Sequence, residues 1–231
     1  MARLSIVNIT TLEDMQRPAY QQMLSSLPRG EDVECVSLIT YHDERELKER
    51  IDVIESGLRV RVYEAGIGVK PSLAVARTIV EQLAHGEWCL WIDSDDLLIT
   101  PERVIDCVRN APGGIGAYYC HVVGMQQIEG QSTVLYHVEQ PRLYRKGAGR
   151  WVGRMHEVLK IETWTTAKAN ILIEHHGYLC TREKQRERLL RNLRGVAQTL
   201  DDCWDDASLR EHYLHVMQSN LDAYFGLSNN Y

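Results

Sequence analysis

The sequence has no Cys-x-x-Cys pair; its six cysteines stand at 35, 89, 107, 120, 180 and 203. That spacing argues against a zinc site. Cys35 and Cys89 sit inside apolar runs, as buried thiols of a reducing compartment do. No apolar stretch approaches membrane-spanning length. The first residues, Met1-Ala2-Arg3-Leu4-Ser5-Ile6-Val7-Asn8, lack the apolar core of a secretion signal, so a cytoplasmic protein is expected. There is no internal repeat and no low-complexity tract. Positive charge is short as well: 26 Lys and Arg face 32 Asp and Glu, and a net charge of −6 excludes a general binder of polyanions. What is present is ordinary for a soluble domain. The 231 residues are 44% hydrophobic and 25% charged, enough for one sizeable core.

The most informative stretch is Trp88-Cys89-Leu90-Trp91-Ile92-Asp93-Ser94-Asp95-Asp96. An apolar, aromatic run that breaks off into acid reads as a buried strand. It delivers Asp93, Asp95 and Asp96 to the strand's carboxyl end, where open α/β sheets bind ligands. Crowded carboxylates call for a cation, and oxygen donors favour Mn²⁺ or Mg²⁺ over a soft metal. In an extended segment the first and third residues of Asp-x-Asp point to the same side. The same acids could instead cap the helix that opens at Thr100-Pro101-Glu102.

Strands and helices alternate around this stretch. Leu4–Thr10 reads as the first strand, with Thr10 or Thr11 capping a helix whose first turn holds Glu13 and Asp14. Val33–Thr40 is a second strand and Asp43–Ser56 a charged helix. Gly57 ends that helix, and Leu58–Tyr63 is a third strand. Ser72–His85 is an amphipathic helix stopped by Gly86. The alternation argues for a doubly wound parallel sheet. Further on, Pro101–Arg109 is a short helix, while 117–123, 133–138 and 169–173 are strands of a mixed or antiparallel half. Arg182–Leu200 and Ser208–Phe225 are helices that pack on the domain, cover a cleft or dimerise.

Lys70-Pro71-Ser72-Leu73-Ala74-Val75-Ala76-Arg77, then Gly86-Glu87-Trp88, then Trp91-Ile92-Asp93-Ser94-Asp95-Asp96, resembles the core of family 2 glycosyltransferases. The resemblance implies a GT-A fold, a nucleotide-sugar donor (a UDP-sugar first) and a divalent cation. By position it places Thr10, Asp43, Lys70, Arg77, Asp93 and Ser94 at the nucleotide or donor. Thr10 and Asp43 can equally be a cap or a solvated turn, and Arg77 a structural ion pair. Pro141-Arg142-Leu143-Tyr144-Arg145 and Gly149-Arg150-Trp151-Val152-Gly153-Arg154-Met155-His156-Glu157 resemble a segment found in a subset of that family. On its own terms this block is a basic, glycine-rich loop suited to phosphate, with Arg150, Trp151 and Arg154 toward acceptor or phosphate. Inverting transfer needs a base for the acceptor hydroxyl, and Glu157 is the candidate, with His156 orienting it. His175-His176-Gly177-Tyr178 matches the family's His-x-Gly-Tyr and makes His175 the third metal ligand beside Asp93 and Asp95, although His176 could take that place.

The expectation is therefore an α/β, GT-A-like (Rossmann-related) mixed sheet flanked by helices. Residues 1–180 form the transferase domain, with 1–96 the nucleotide-binding half and 97–180 the acceptor half. Residues 181–231 form a helical extension that could pair two copies. The acceptor is a saccharide, a peptide or a hydroxylated nucleobase in DNA. Two other classes share some of these features. A nucleotidyltransferase would carry a glycine-rich loop after the first strand, where Ile9-Thr10-Thr11-Leu12 has no glycine. A non-catalytic sugar- or nucleotide-binding module would not need the Asp, Glu and His set.

Overall fold

The computed structural model describes residues 3–41, 48–55, 57–66, 72–128, 131–178 and 182–228. In chain order the elements are β1 (Leu4–Thr10), α1 (Leu12–Met15), α2 (Pro18–Ser26), β2 (Val33–Tyr41), β3 (Lys48–Glu55), β4 (Leu58–Gly66), α3 (Leu73–Leu83), β5 (Trp88–Trp91), β6 (Asp96–Leu98), α4 (Pro101–Arg109), β7 (Ile115–Ile128), β8 (Gln131–Arg145), β9 (Gly149–Val152), β10 (Val158–Ile161), β11 (Thr165–Tyr178), α5 (Arg182–Asp202) and α6 (Ala207–Ser228). Nine strands form one mixed sheet in the order β3-β4-β2-β1-β5-β8-β7-β11-β6, and β9 and β10 form a separate hairpin.

The first half follows the alternation expected. β1, β2, β4 and β5 run parallel, and α3 crosses from β4 to β5. Beyond β5 the direction changes: β8 pairs antiparallel with both β5 and β7. Apolar side chains fill both faces. Ile6, Leu90, Leu143 and Ile173 join Met23, Val104 and their neighbours on one side. Val7, Val36, Trp91 and Tyr144 meet Ala76 and Val80 of α3 on the other. Among the described residues, no helix is long and apolar enough to cross a membrane.

Two expectations need correction. The charged helix expected over Asp43–Ser56 is replaced over 48–55 by β3, antiparallel to β4; 43–47 and 56 lie outside the described residues. Ile51 and Val53 repeat with a period of two, and β4 would otherwise be the sheet's open edge, so backbone pairing overrides the helical charge pattern. Nor is the arginine-rich block one loop: only 146–148 and 153–157 lie outside strands. Arg142 and Arg145 belong to β8, and Arg150 and Trp151 to β9, which turns back onto β10. The two strands of the acceptor half, expected at 117–123 and 133–138, extend to 14 and 15 residues.

A polar knot fixes the amino ends of the central strands. Glu34 on β2 accepts from Ser5 Oγ at 2.6 Å, from the His85 amide at 2.7 Å and from Arg61 Nε at 3.1 Å. Ser5 Oγ in turn accepts from the Gly86 amide at 2.8 Å. Gly86 has to be glycine, because a Cβ there would lie 2.6 Å from the Ser5 nitrogen. Burial alone would raise the Glu34 pKa, but the Ser5 and His85 hydrogen bonds and then Arg61 outweigh it and lower it. A carboxyl lowered on folding stabilises the fold above its unfolded pKa of about 4.3 and loses that contribution as pH falls through the folded value. Glu34→Gln should therefore cost about 1–3 kcal/mol at neutral pH. It should also lose stability less steeply than the wild type on acidification below about pH 4.5, as read by thermal melting across pH.

Candidate active site at the carboxyl ends of β1 and β5

The segment after β5 is pinned to β1. The Ile92 amide donates to Val7 O at 3.1 Å, and Asn8 Nδ2 donates to Ile92 O at 2.8 Å. The chain then turns tightly. The Asp96 amide donates to Asp93 O at 3.0 Å, while Asp96 Oδ2 accepts from the Asp93 amide at 2.9 Å. Asp96 opens β6, whose register on β11 sets it opposite His175. Asp96 Oδ1 and His175 Nδ1 are 2.8 Å apart, and Asp96 is fully buried. His176 faces the other way: its Nε2 lies 3.1 Å from Glu174 Oε2.

Two buried arginines close the network. Arg77 on α3 donates through Nη2 to Asp93 Oδ1 at 2.6 Å and through Nε to Glu157 Oε1 at 2.9 Å. Arg142 on β8 reaches Asp93 Oδ2 at 3.2 Å and Asp96 Oδ2 at 3.3 Å. Both guanidiniums lie 3.9 Å from the Trp91 ring centroid, and Trp91 Nε1 donates to Asp93 at 2.9 Å. Charge alternates along the chain Glu157–Arg77–Asp93–Arg142–Asp96–His175, as buried ions require. Burial would raise Asp93, yet Arg77 and Arg142 hold it well below the usual carboxylate range. Burial likewise opposes a proton on His175, but Asp96 and then Asp95 raise its pKa. Asp95 itself is raised, first by burial and then, against the pull of His175, by Asp96 and Asp93.

Asp93, Asp96 and His175 each bring a ligand atom within 4.8 Å of the others, a cluster able to hold a divalent ion. Asp93 and Asp96 already serve arginines, backbone and imidazole with all four oxygens. The outward corner belongs to Asp95. Its side chain is 35% exposed, and its Oδ1 lies 3.4 Å from His175 Nδ1. A Cβ on Gly177 would fall 2.5 Å from Asp95 Oδ2 and 2.7 Å from His175 Nε2. The absence of a side chain at Gly177 therefore leaves a cradle with one carboxylate oxygen and one imidazole nitrogen. The carboxylate oxygen suits Mn²⁺ or Mg²⁺, and an imidazole nitrogen beside it favours Mn²⁺ of the two; Asp96 behind His175 orients the ring as a carboxylate behind a metal-bound imidazole does.

Glu157 is buried and held by Arg77. His156 precedes it with a left-handed backbone, φ 53°, and Tyr213 of α6 donates to its carbonyl at 3.1 Å. Burial pushes the His156 imidazole down, so it is neutral at pH 7, and among the described residues its buried Nε2 has no hydrogen-bond partner. Thr10 is buried at the end of β1, with Oγ1 donating to Thr11 O at 3.3 Å. Ser94 lies in the turn between Asp93 and Asp95, partly exposed. Asp43 and Lys70 lie outside the described residues.

Arg150 and Arg154 are not brought to the cluster. Arg150 pairs with Glu162 at 3.2 Å, and Arg154 Nη2 donates to Asp202 at 3.1 Å. With Trp151 they line a cleft of about 760 Å³ between α3, β9 and the C-terminal helices, and no member of the carboxylate–histidine cluster lines it. Trp151 is buried, edge-on to Trp91 at 4.9 Å. Sequence reasoning did not give Arg142, Asp96 or Arg188 a role of its own at the site. Arg142 could have been found as a cation placed among apolar neighbours in Pro141-Arg142-Leu143-Tyr144; nothing marks Arg188 among the charges of α5.

No protein-family model matches the sequence, and no curated protein does. Among solved structures, the mannosyltransferase PcManGT from Pyrobaculum calidifontis, in complex with GDP-Man and Mn²⁺, is 14% identical with a TM-score of 0.50, covering 98% of this chain and 73% of that one. S. aureus TarS 1–349 in complex with UDP-GlcNAc is 12% identical with a TM-score of 0.42, covering 97% and 73%. At these identities the mannosyltransferase likeness speaks for the fold alone: this chain has the mixed α/β fold of that glycosyltransferase.

Proposed function

We propose that this protein is an inverting, metal-dependent glycosyltransferase that moves a sugar from a nucleotide-sugar donor to a hydroxyl acceptor. The observation that carries the proposal is the convergence of Asp95, His175 and the Glu157–Arg77–Asp93 chain at the carboxyl ends of β1 and β5. The fold in which they meet is shared with a mannosyltransferase whose structure holds GDP-Man and Mn²⁺.

Asp95 and His175 are the residues that would hold the cation, with Asp93 and Asp96 behind them. When bound, the ion supplies a Lewis acid that offsets charge on the departing nucleoside diphosphate. Thr10, Ser94 and Arg77 face the donor, and Lys70 and Asp43 keep the role the family resemblance implies. The acceptor oxygen attacks the anomeric carbon while the bond from that carbon to the diphosphate oxygen breaks with its electron pair. Glu157 takes the hydroxyl proton. Arg77 holds the Glu157 carboxylate in place through the 2.9 Å bond from its Nε, and the neutral His156 beside it can accept or relay a hydrogen bond. Charge building on the sugar ring resembles an oxocarbenium ion, which the surrounding carboxylates favour.

A UDP-sugar and GDP-mannose are the first donors to test. Arg150 and Arg154 sit in surface ion pairs, which contribute about 0–1 kcal/mol and exchange readily, so a phosphate-bearing acceptor such as DNA stays among the candidates. Its retention would fall steeply with salt.

Glu157→Gln should lower kcat about 10²–10⁴-fold in a nucleoside diphosphate release assay while Mn²⁺ binding is unchanged; near-normal turnover would remove Glu157 as the base. Asp95→Ala should abolish both metal-stimulated release and the upward shift in melting temperature that Mn²⁺ gives the wild type. At a hundredfold excess over Kd that stabilisation is about 2.7 kcal/mol. Full activity of Asp95→Ala in chelator would contradict the metal assignment.

A further inference from the structure

The C-terminal helix α5 carries an arginine into the cation corner. Arg188 Nη1 donates to the Gly177 carbonyl, and Nη2 lies 3.5 Å from His175 Nε2. The Cβ position of Gly177 that is 2.5 Å from Asp95 Oδ2 and 2.7 Å from His175 Nε2 is also 2.9 Å from Arg188 Nη1. One carboxylate, one imidazole and one guanidinium therefore surround a single small space. The charge of Arg188 reaches Asp95, where it opposes the raised pKa.

Asp95 and His175 are the groups assigned above to the divalent ion. The ion and the Arg188 guanidinium would thus both lie against His175 Nε2, with the charge of Arg188 felt at Asp95. Two cations brought to one imidazole nitrogen beside Asp95 repel each other. The imidazole lone pair serves either the metal or an N–H donor, not both. One of the two cations must yield.

Arg188 has somewhere to go. Its planar N–H pairs match the oxygens of a phosphate group two at a time. Arg191 lies one turn further along α5, and its pKa is lowered by burial and then by the charge of Arg188. Two neighbouring arginines under mutual repulsion form a site that an anion relieves. The donor's diphosphate is the anion that must come to the cation.

We propose that Arg188 is a resident counter-cation of the Asp95–His175 corner, and that a divalent ion displaces it onto the diphosphate of the donor. The inference rests on the glycosyltransferase reading and names a further donor-binding residue for it. Its consequence is linkage. Without nucleotide, Arg188 competes with the ion. With nucleotide, Arg188 grips the diphosphate, so ion and nucleotide strengthen each other's binding by the same factor. The helical extension is then part of the donor site.

Arg188→Gln separates this from a purely structural role, because the two binding steps should change in opposite directions. Mn²⁺ binding to the nucleotide-free protein, followed by the electron paramagnetic resonance of free Mn²⁺, should tighten about fivefold or more. In saturating Mn²⁺, UDP or GDP, whichever the wild type binds better, should bind about tenfold or more weakly by calorimetry. Arg188→Lys should restore competition with Mn²⁺ but not the grip on the diphosphate, since an ammonium lacks the paired donors. Loosening of both ligands, or no change in either, would overturn the role of Arg188 while leaving the transferase reading in place. A wild type that binds neither Mn²⁺ nor nucleotide would overturn that reading and this inference with it.

Discussion

Two guanidiniums share one carboxylate against one indole, and the site is built around that contact. Arg77 and Arg142 arrive from different elements, one from α3 and one from β8, and both bond Asp93 while lying over Trp91. A buried arginine without a counter-ion is untenable, and so is a buried aspartate. Each makes the others tolerable. Arg77 carries the pairing on to Glu157, and Arg142 carries it on to Asp96 and from there to His175. The alternating chain fixes six side chains from both halves of the sheet. It also fills every oxygen of Asp93 and Asp96 with a protein donor. Asp95 is left as the partly exposed carboxylate, with the buried His175 beside it and Gly177 and Arg188 at the same corner.

The C-terminal helices serve the same site from the opposite side. Tyr213 of α6 donates to the carbonyls of Val152 and His156, at 3.2 and 3.1 Å. Thr199 of α5 accepts from the Arg154 amide at 2.9 Å. A Cβ on Gly195 would overlap the Met155 side chain, so α5 approaches the Glu157 turn as closely as it does only because that residue is glycine. His156 is held at φ 53°, and backbone strain of this kind persists where surrounding contacts impose it. The extension therefore sets where Glu157 sits.

Much of this was legible in the sequence where physical rules are local. The strand of Leu4–Thr10, the Thr11 cap and the helix at Pro101 follow from periodicity, capping chemistry and proline, and all three form as expected. That Asp93, Asp95 and His175 lie close together was legible through the Asp-x-Asp spacing and the resemblance. The features that were not legible depend on distant partners. A strand at 48–55 is decided by the open edge of β4, not by its own charges. Asp96 could have been a helix cap; only its register opposite His175 makes it the buried anchor. Arg188 looks like any cation on a charged helix until the turn of the chain brings α5 against Gly177. The ion pairs of Arg150 with Glu162 and of Arg154 with Asp202 were not legible either, because those partners are remote or unremarkable in sequence.

The most direct measurement is a double-mutant cycle between Arg77 and Asp93, with Arg77→Met, Asp93→Asn and the pair together unfolded in denaturant. If the shared-carboxylate network organises the site, each single change should cost about 1–3 kcal/mol by removing a charged hydrogen-bond partner, and the double variant should cost well under the sum, with a coupling of about 1 kcal/mol or more. Costs that add to within about 0.5 kcal/mol would show that the two residues do not depend on each other, and the account of how Asp95 and His175 are presented would be contradicted.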